Sequence, residues 1–308
     1  MAAGATRASG CGGSPNEGRL SDQRGLRRGG LVYTLRPMDW RLKALAFRAL
    51  ELPGGSAIHY WLQRHVTRTW PRPTRTLDSL ANKAKEVLAE YDRHVGGVPA
   101  SLLEVGAGRD LAVPLALRRM GVKDVTAVDV NRIARLDLVQ HAAGHLLAGQ
   151  VPFGSWEELQ KFGVRYRAPH YVTRDDEQVD CSCSNEVLEH VPPDQLLELL
   201  RALRAVTRRL TVHSIDYSDH YARSDKSVSR LNFLRYSDAE WKPFNSGKQY
   251  VNRLRHSDYV RMFRDAGFTI VEESCVPGEP APELKVASQF ESYASDDLFA
   301  VRGRIVAM

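Results

Sequence analysis

The sequence predicts an α/β fold, a mostly parallel sheet with helices on both faces. Three observations carry this prediction. First, short apolar runs alternate with longer amphipathic ones from residue 98 onward. Second, the run Val98 to Val105 ends in Glu104-Val105, then a glycine turn, Gly106-Ala107-Gly108, then the apolar run Leu111 to Met120. A strand, a Gly-x-Gly turn and a helix form a corner where backbone N–H groups can approach a ligand closely. Third, the next strand run, Val125 to Val128, is followed by Asp129, an acid placed to grip ribose hydroxyls. The third glycine of the dinucleotide fingerprint is missing, because Asp110 and Leu111 follow the turn, and this counts against NAD and FAD.

The elements follow in order. Residues 1–37, rich in Gly, Ser and Arg, read as a disordered basic tail. Residues 38–97 read as an N-terminal helical cap. Its first helix, Trp40 to Leu52, carries an apolar face and is stopped by Pro53-Gly54-Gly55. A second helix, His59 to Trp70, ends before Pro71-Arg72-Pro73, and a third spans Leu77 to His94. Residues 98–308 form the main domain. Strands are expected at Ala100–Val105, Val125–Asp129, Val164–Arg167, Val179–Ser184 and Leu210–Ser214, with helices at Leu111–Met120, Arg132–Ala148 and Pro193–Thr207. An irregular insertion, 216–255, precedes a helix at Ser257–Ala266, a strand at Thr269–Ser274 and a last strand near Leu298–Val306.

Composition narrows the class. The chain has 308 residues, 43% hydrophobic and 26% charged, which suits one large domain with appendages. Its apolar runs all fall short of the roughly 20 residues that cross a membrane, and the N-terminus lacks an apolar signal region. The four cysteines, Cys11, Cys181, Cys183 and Cys275, make neither a disulfide framework nor a Cys-x-x-Cys pair, and they read as reduced core thiols of a cytoplasmic protein. The net charge is +6, but residues 1–75 hold thirteen Lys and Arg against four acids, an excess of nine. The remainder is therefore at −3, and the basic character belongs to the N-terminal segment. Those basic, aromatic helices either pack as a cap or rest on an anionic membrane at its inner face. No nucleic-acid module is recognisable.

The stretch Val179-Asp180-Cys181-Ser182-Cys183-Ser184-Asn185-Glu186-Val187-Leu188-Glu189-His190-Val191 resembles the fourth strand and following loop of class I S-adenosylmethionine-dependent methyltransferases. With Glu104, Gly106, Gly108 and Asp129 at matching distances, the resemblance covers about residues 98 to 306. It implies a Rossmann-like sheet of seven strands, the last antiparallel, with S-adenosyl-L-methionine across the strand ends. Gly106 and Gly108 would pass under the methionine part, Glu104 would help hold the amino group, and Asp129 would take the ribose. Asn185 and Glu186 would flank the methionine and the methyl. Many relatives carry an acid near the adenine after the third strand. Here that place reads Arg167-Ala168-Pro169-His170; Asp175 or Asp176 could substitute for the acid, although both read more simply as solvated turn residues. A narrower likeness, in 213–220, 232–237 and 250–255, points to a bacterial group associated with surface polysaccharide and glycan pathways.

The expected reaction is methyl transfer to a hydroxyl of a sugar or glycan intermediate. Two alternatives are methylation of a natural-product scaffold on O, N or C, and a domain that binds cofactor without turnover. A hydroxyl acceptor needs a general base. His213, expected to end the fifth strand, reads equally as that base or as a buried hydrogen-bonder, with Asp216 and His220 beside it in the insertion, where His220 also reads as an exposed loop residue. His190 reads as positional. Asp216, Asp219 and His220 could hold a divalent cation, but acids in a polar loop are usually solvated, and no metal is assigned. The insertion 216–255 reads as an acceptor lid whose aromatic residues either stack on sugar rings or fasten the lid to the sheet.

Overall fold

The computed structural model describes residues 39–278 and 284–308. The expected tail, 1–37, lies outside the described residues, as does Cys11.

Seven strands form one sheet: β1 (Ser101–Val105), β2 (Asp124–Val128), β3 (Val164–Arg167), β4 (Val179–Asn185), β5 (Thr207–Asp216), β6 (Ile270–Pro277) and β7 (Ala300–Ala307). Their order is β3-β2-β1-β4-β5-β7-β6. The first five run parallel to one another, and β7 runs antiparallel to both β5 and β6. Strand order reverses between β1 and β4, and ligands of open α/β sheets bind at such a switch point.

Alternate residues of each strand feed two cores, as the period of two demands. Leu102, Cys181, Cys183, Leu210 and Val212 face one way. There they meet α3 (Thr74–His94), α4 (Ala112–Arg119) and α5 (Leu136–Leu146), which follow α1 (Trp40–Ala49) and α2 (Gly55–His65) in the chain. A short α6 (Trp156–Lys161), capped by Ser155, carries Leu159 into the same core. Leu103, Val179, Ile215 and Ile305 face the other way, against α7 (Pro193–Val206) and α9 (His256–Asp265), with α8 (Asp238–Trp241) lying between those two helices in sequence. Burial of the Cys181 and Cys183 thiols pushes both pKa values up, so they behave as core hydrophobes.

The helix α3 belongs energetically to the sheet. Leu77, Ala84, Val87, Leu88 and Tyr91 share the first core with β1 and β2. The preceding helix starts earlier than its sequence suggests. Gly54 adopts φ +84° as the N-cap, and Gly55 already lies in α2. A Cβ at Gly55 would stand 2.2 Å from the Leu50 carbonyl oxygen, so the tight corner between α1 and α2 needs a glycine there.

The insertion has a core of its own. Trp40, Tyr221, Phe233, Leu234, Trp241 and Val251 pack together with Phe290. Its aromatics thus fasten the insertion to α1. Arg253 donates to the carbonyls of Phe233 and Tyr236 and pairs with Asp238, while the fully buried Arg255 donates to the carbonyls of Tyr217 and Ala300. Both arginines hold chain to chain.

Candidate active site

The loop after β1 is built for a close approach. Gly106 has φ +82°, and its N–H donates to the carbonyl of Val128, tying the turn to the end of β2. A Cβ on Gly106 would lie 2.3 Å from Val187 Cγ2, whereas Gly108, at φ +71°, has nothing within 4 Å of the place a Cβ would take. Gly106 therefore packs against the loop after β4, and Gly108 faces open space.

That space is a cavity of about 1140 Å³. Gly106, Gly108, Asp129, Ile133, Val187 and His190 line it, and the loop 170–174 and the start of α7 close its far side. The Asp129 carboxylate accepts from the Asn131 N–H at 3.1 Å, and its half-buried setting raises its pKa. The acid sits where the sequence predicts, at the end of β2.

Glu104, on β1, is buried, and burial pushes its pKa up to about 8. Its Oε2 and the Asn185 Nδ2 have no hydrogen-bond partner among the described residues. A buried carboxylate oxygen and a buried amide left open together suit a ligand that brings both donors and acceptors, as an amino acid does.

Glu186 follows β4 with φ +55°, and its N–H donates to the Ser214 carbonyl. A left-handed glutamate is a strained conformer of the kind found at functional sites. Its carboxylate meets Lys83 of α3 at 2.6 Å, and although burial opposes it, that cation lowers its pKa. Glu186 lines a second cavity of about 560 Å³ together with Arg72, Thr76, Ser79, Asn82, Lys83, Ser214 and Arg302. Consecutive residues thus border the two spaces, Glu186 the smaller and Val187 the larger.

The three predicted catalytic residues separate. His213 does not end its strand, because β5 continues to Asp216. The ring is fully buried against Phe263, with Nδ1 2.7 Å from Ser184 Oγ and Nε2 2.6 Å from Thr211 Oγ1. Burial depresses its pKa to about 3. With both nitrogens engaged inside the second core, His213 is a structural hydrogen-bonder and not a base for an acceptor.

Asp216 and His220 do come together. Asp216 Oδ2 lies 3.6 Å from His220 Nε2 and also pairs with Arg223. Burial alone would raise the Asp216 pKa, but the bonds from His220, Ser218 and Arg223 win and hold it well below the ordinary range. Asp219 stands apart. Its carboxylate caps the following turn at Tyr221 N–H and takes the Asn232 amide.

Sequence reasoning missed two features. His190, read as positional, lines the larger cavity and lies against the His220 ring, with centroids 5.0 Å apart. Asp176, read as solvated, bonds His170 Nε2 at 2.8 Å, Arg167 at 3.1 Å and the Thr173 N–H at 3.0 Å. It thereby fixes the loop that walls the larger cavity.

Residues 79–273 match the sequence profile of the family described as methyltransferase domain. The chain belongs to that family. The expected reaction, methyl transfer from S-adenosylmethionine, is the reaction of this methyltransferase class. Among solved structures, the methyltransferase is similar to magnesium protoporphyrin IX methyltransferase (ChlM) from Synechocystis PCC 6803. The identity is 12% and the TM-score 0.45, over 75% of this chain and 82% of that one. It is also similar to an O-methyltransferase family protein from Burkholderia thailandensis, at 10% identity and a TM-score of 0.46, over 80% of this chain and 60% of that one. A chain from Nostoc punctiforme PCC 73102 matches at 14% identity with a TM-score of 0.44, over 74% of this chain and 56% of that one. The methyltransferase thus spans less than two thirds of the length of the latter two. No protein of curated function matches it.

Proposed function

We propose that the protein methylates a hydroxyl of a sugar or glycan intermediate, with S-adenosylmethionine in the larger cavity and the acceptor in the smaller. The observation that carries the acceptor class is the lining of the smaller cavity. Thr76, Ser79, Asn82, Ser214 and three cationic side chains surround it, and Leu80 is its apolar member. A polyhydroxylated ligand satisfies such groups; a flat apolar scaffold would leave them unpaired.

When bound, the cofactor supplies a methyl group on a sulfonium, which passes in line to the acceptor oxygen as the carbon–sulfur bond breaks. The chain's own task is alignment. Gly108 leaves room for the methionine part, Glu104 Oε2 takes its ammonium, and Asp129 accepts from the ribose hydroxyls. Glu186, fixed by Lys83 and the Ser214 carbonyl, would face the acceptor in the smaller cavity. Removal of the acceptor proton falls to the polar group beyond it, Glu189, His190 and His220. A cation beside the buried Glu104 would favour its ionised form and oppose the burial that raises its pKa.

The decisive variant is Asp129→Ala. Hydrogen bonds to a charged acceptor are worth about 1.5–3 kcal/mol, so S-adenosylhomocysteine should bind about 10- to 100-fold more weakly. The side chain is half-buried and bonds only the backbone at Asn131 and Gly108, so the melting temperature should stay close to the parent's. Calorimetry measures the first and thermal unfolding the second. Unchanged affinity would remove the proposed cofactor site. An acceptor screen that yields methylated aromatic scaffolds and no methylated sugars would remove the proposed substrate class.

The N-terminal helices support contact with an anionic membrane. Leu42, Leu45, Leu52, Ile58, Trp61 and Val66 are each more than half exposed, and Arg41, Arg48 and Arg68 beside them are exposed as well. An apolar surface rimmed by arginine fits an anionic lipid headgroup layer. Trp61 alone among the five tryptophans is exposed. Brominated anionic vesicles should therefore quench its emission, while neutral vesicles should not. Absence of quenching, or a dimer that hides Trp61 in light scattering, would overturn the contact.

A further inference from the structure

The polar group beyond Glu186 has more structure than a general base requires. Glu189 and His190 lie in a single 3-10 turn, Leu188–His190, directly after β4, and His220 opens a second turn, His220–Arg223, shortly after β5. One ligand-capable atom of each of Glu189, His190 and His220 lies within 4.8 Å of the other two. We propose that these three side chains bind a divalent first-row transition-metal cation beside the larger cavity, which His190 lines.

Each member is prepared for that role in a way a bare base would not need. Glu189 is 1% exposed. Its Oε1 accepts from the Asp216 N–H at 3.3 Å, while Oε2 is buried with no hydrogen-bond partner among the described residues. A carboxylate oxygen left open in the interior is costly unless a cation meets it. His190 Nδ1 lies 2.6 Å from the Tyr250 carbonyl oxygen, which accepts only, so Nδ1 carries the proton. The lone pair is then on Nε2, away from the backbone. An imidazole whose distal N–H is held by a carbonyl is the arrangement that orients metal-ligating histidines. His220 packs edge-on against His190 at 64°.

Ligand bonds of roughly 2.0–2.2 Å hold ligand atoms some 3–3.6 Å apart, so the cluster needs to contract by about 1 Å. Asp216 Oδ2, 3.6 Å from His220 Nε2, stands as a fourth ligand atom. The facing charges are Glu186, Asp216 and Arg223, with the Arg223 guanidinium 3.2 Å from His220 Nε2 and 3.8 Å from Glu186 Oε2. Its side chain is half exposed, so it can withdraw into solvent when a cation takes its place. Two imidazoles with one carboxylate suit Mn²⁺, Fe²⁺, Co²⁺ or Zn²⁺ better than the all-oxygen sets of Ca²⁺ and Mg²⁺.

The consequence for catalysis rests on the hydroxyl-acceptor reading above. A cation here would acidify an acceptor hydroxyl placed beside Glu186, with the proton passing to water in the open cavity. Binding of the cation does not depend on that reading.

The test uses the full chain, stripped with chelator and dialysed, and Mn²⁺ and Zn²⁺ as probes in calorimetry without cofactor or acceptor. One ion per chain is expected. His220→Asn and Glu189→Gln should each weaken it at least tenfold, and S-adenosylhomocysteine binding by the same samples should show that they remain folded. Asp129→Ala should bind the ion as the parent does. No stoichiometric binding by the parent, or binding unchanged in both ligand variants, would overturn the site. Activity separates the two readings. Methylated sugar formed at full rate in chelator overturns the cation's role and leaves the acceptor reading standing. A stoichiometric ion with a product not methylated on oxygen does the reverse.

Discussion

Gly106→Ala abolishes measurable S-adenosylhomocysteine binding and lowers stability by about 2–5 kcal/mol. Two costs add. The residue sits at φ +82°, where an L side chain is strained by roughly 1–2 kcal/mol. The new Cβ would also stand 2.3 Å from Val187 Cγ2 and 3.0 Å from Cγ1, and overpacking of this kind costs about 1–3 kcal/mol. A β-branched neighbour cannot swing its far end aside. It must shift as a whole, and Val187 lines the larger cavity while its neighbour Glu186 lines the smaller. The displacement therefore reaches both ligand positions. Gly108→Ala is the control. Its φ is also positive, but its Cβ meets open space, so it should lose binding with a smaller loss of stability, about 1 kcal/mol. Thermal unfolding and calorimetry on the pair decide it. A Gly106→Ala protein that binds like the parent would mean that the turn after β1 does not cradle the cofactor.

The contrast between these glycines shows what the sequence could and could not tell. The order of strands and helices was legible, because apolar runs with periods of two and 3.6 repeat from residue 98 onward. The glycine turn and Asp129 are legible in position, because a backbone at positive φ favours glycine and the strand run ends just before the acid. Which glycine packs and which opens the cavity depends on Val187, some 80 residues away, and no local pattern carries that. His213 shows the same limit. Its place in the fifth strand was right, but the strand runs on to Asp216, and a difference of three residues moves the ring from the cleft into the core. His190 errs the other way. The Glu-His pair after β4 looked positional until β5 and the turn at His220 brought a second imidazole against it. The insertion's aromatics were visible in sequence, yet both of their readings had the same composition. Only their packing on Trp40 selects the fastening role.

Trp40→Ala tests that fastening and carries the largest expected loss of stability, about 3–5 kcal/mol. The indole is 2% exposed. Its ring centroid lies 5.7 Å from Tyr221, 5.9 Å from Tyr236, 5.7 Å from Trp241 and 4.8 Å from Phe244. The Trp40 N–H donates to Asp225 at 3.0 Å, which ties the first turn of α1 to the insertion through backbone as well. Tyr221 sits in the same turn as His220 and Arg223, so loosening its packing loosens the acceptor side of the site. Gly106, Gly108 and Asp129 are held by β1 and β2 in separate cores and should not feel it. The expected signature is therefore split. Hydrogen exchange should quicken across 216–255, and KM for the acceptor should rise, while S-adenosylhomocysteine affinity stays within about twofold. Trp40→Phe, which keeps an aromatic ring in the cluster, should recover most of both losses. If the alanine variant weakens cofactor binding as much as acceptor binding, α1 braces the whole molecule and not the insertion alone. Exchange in 216–255 as slow as in the parent would mean that the insertion holds its shape without α1.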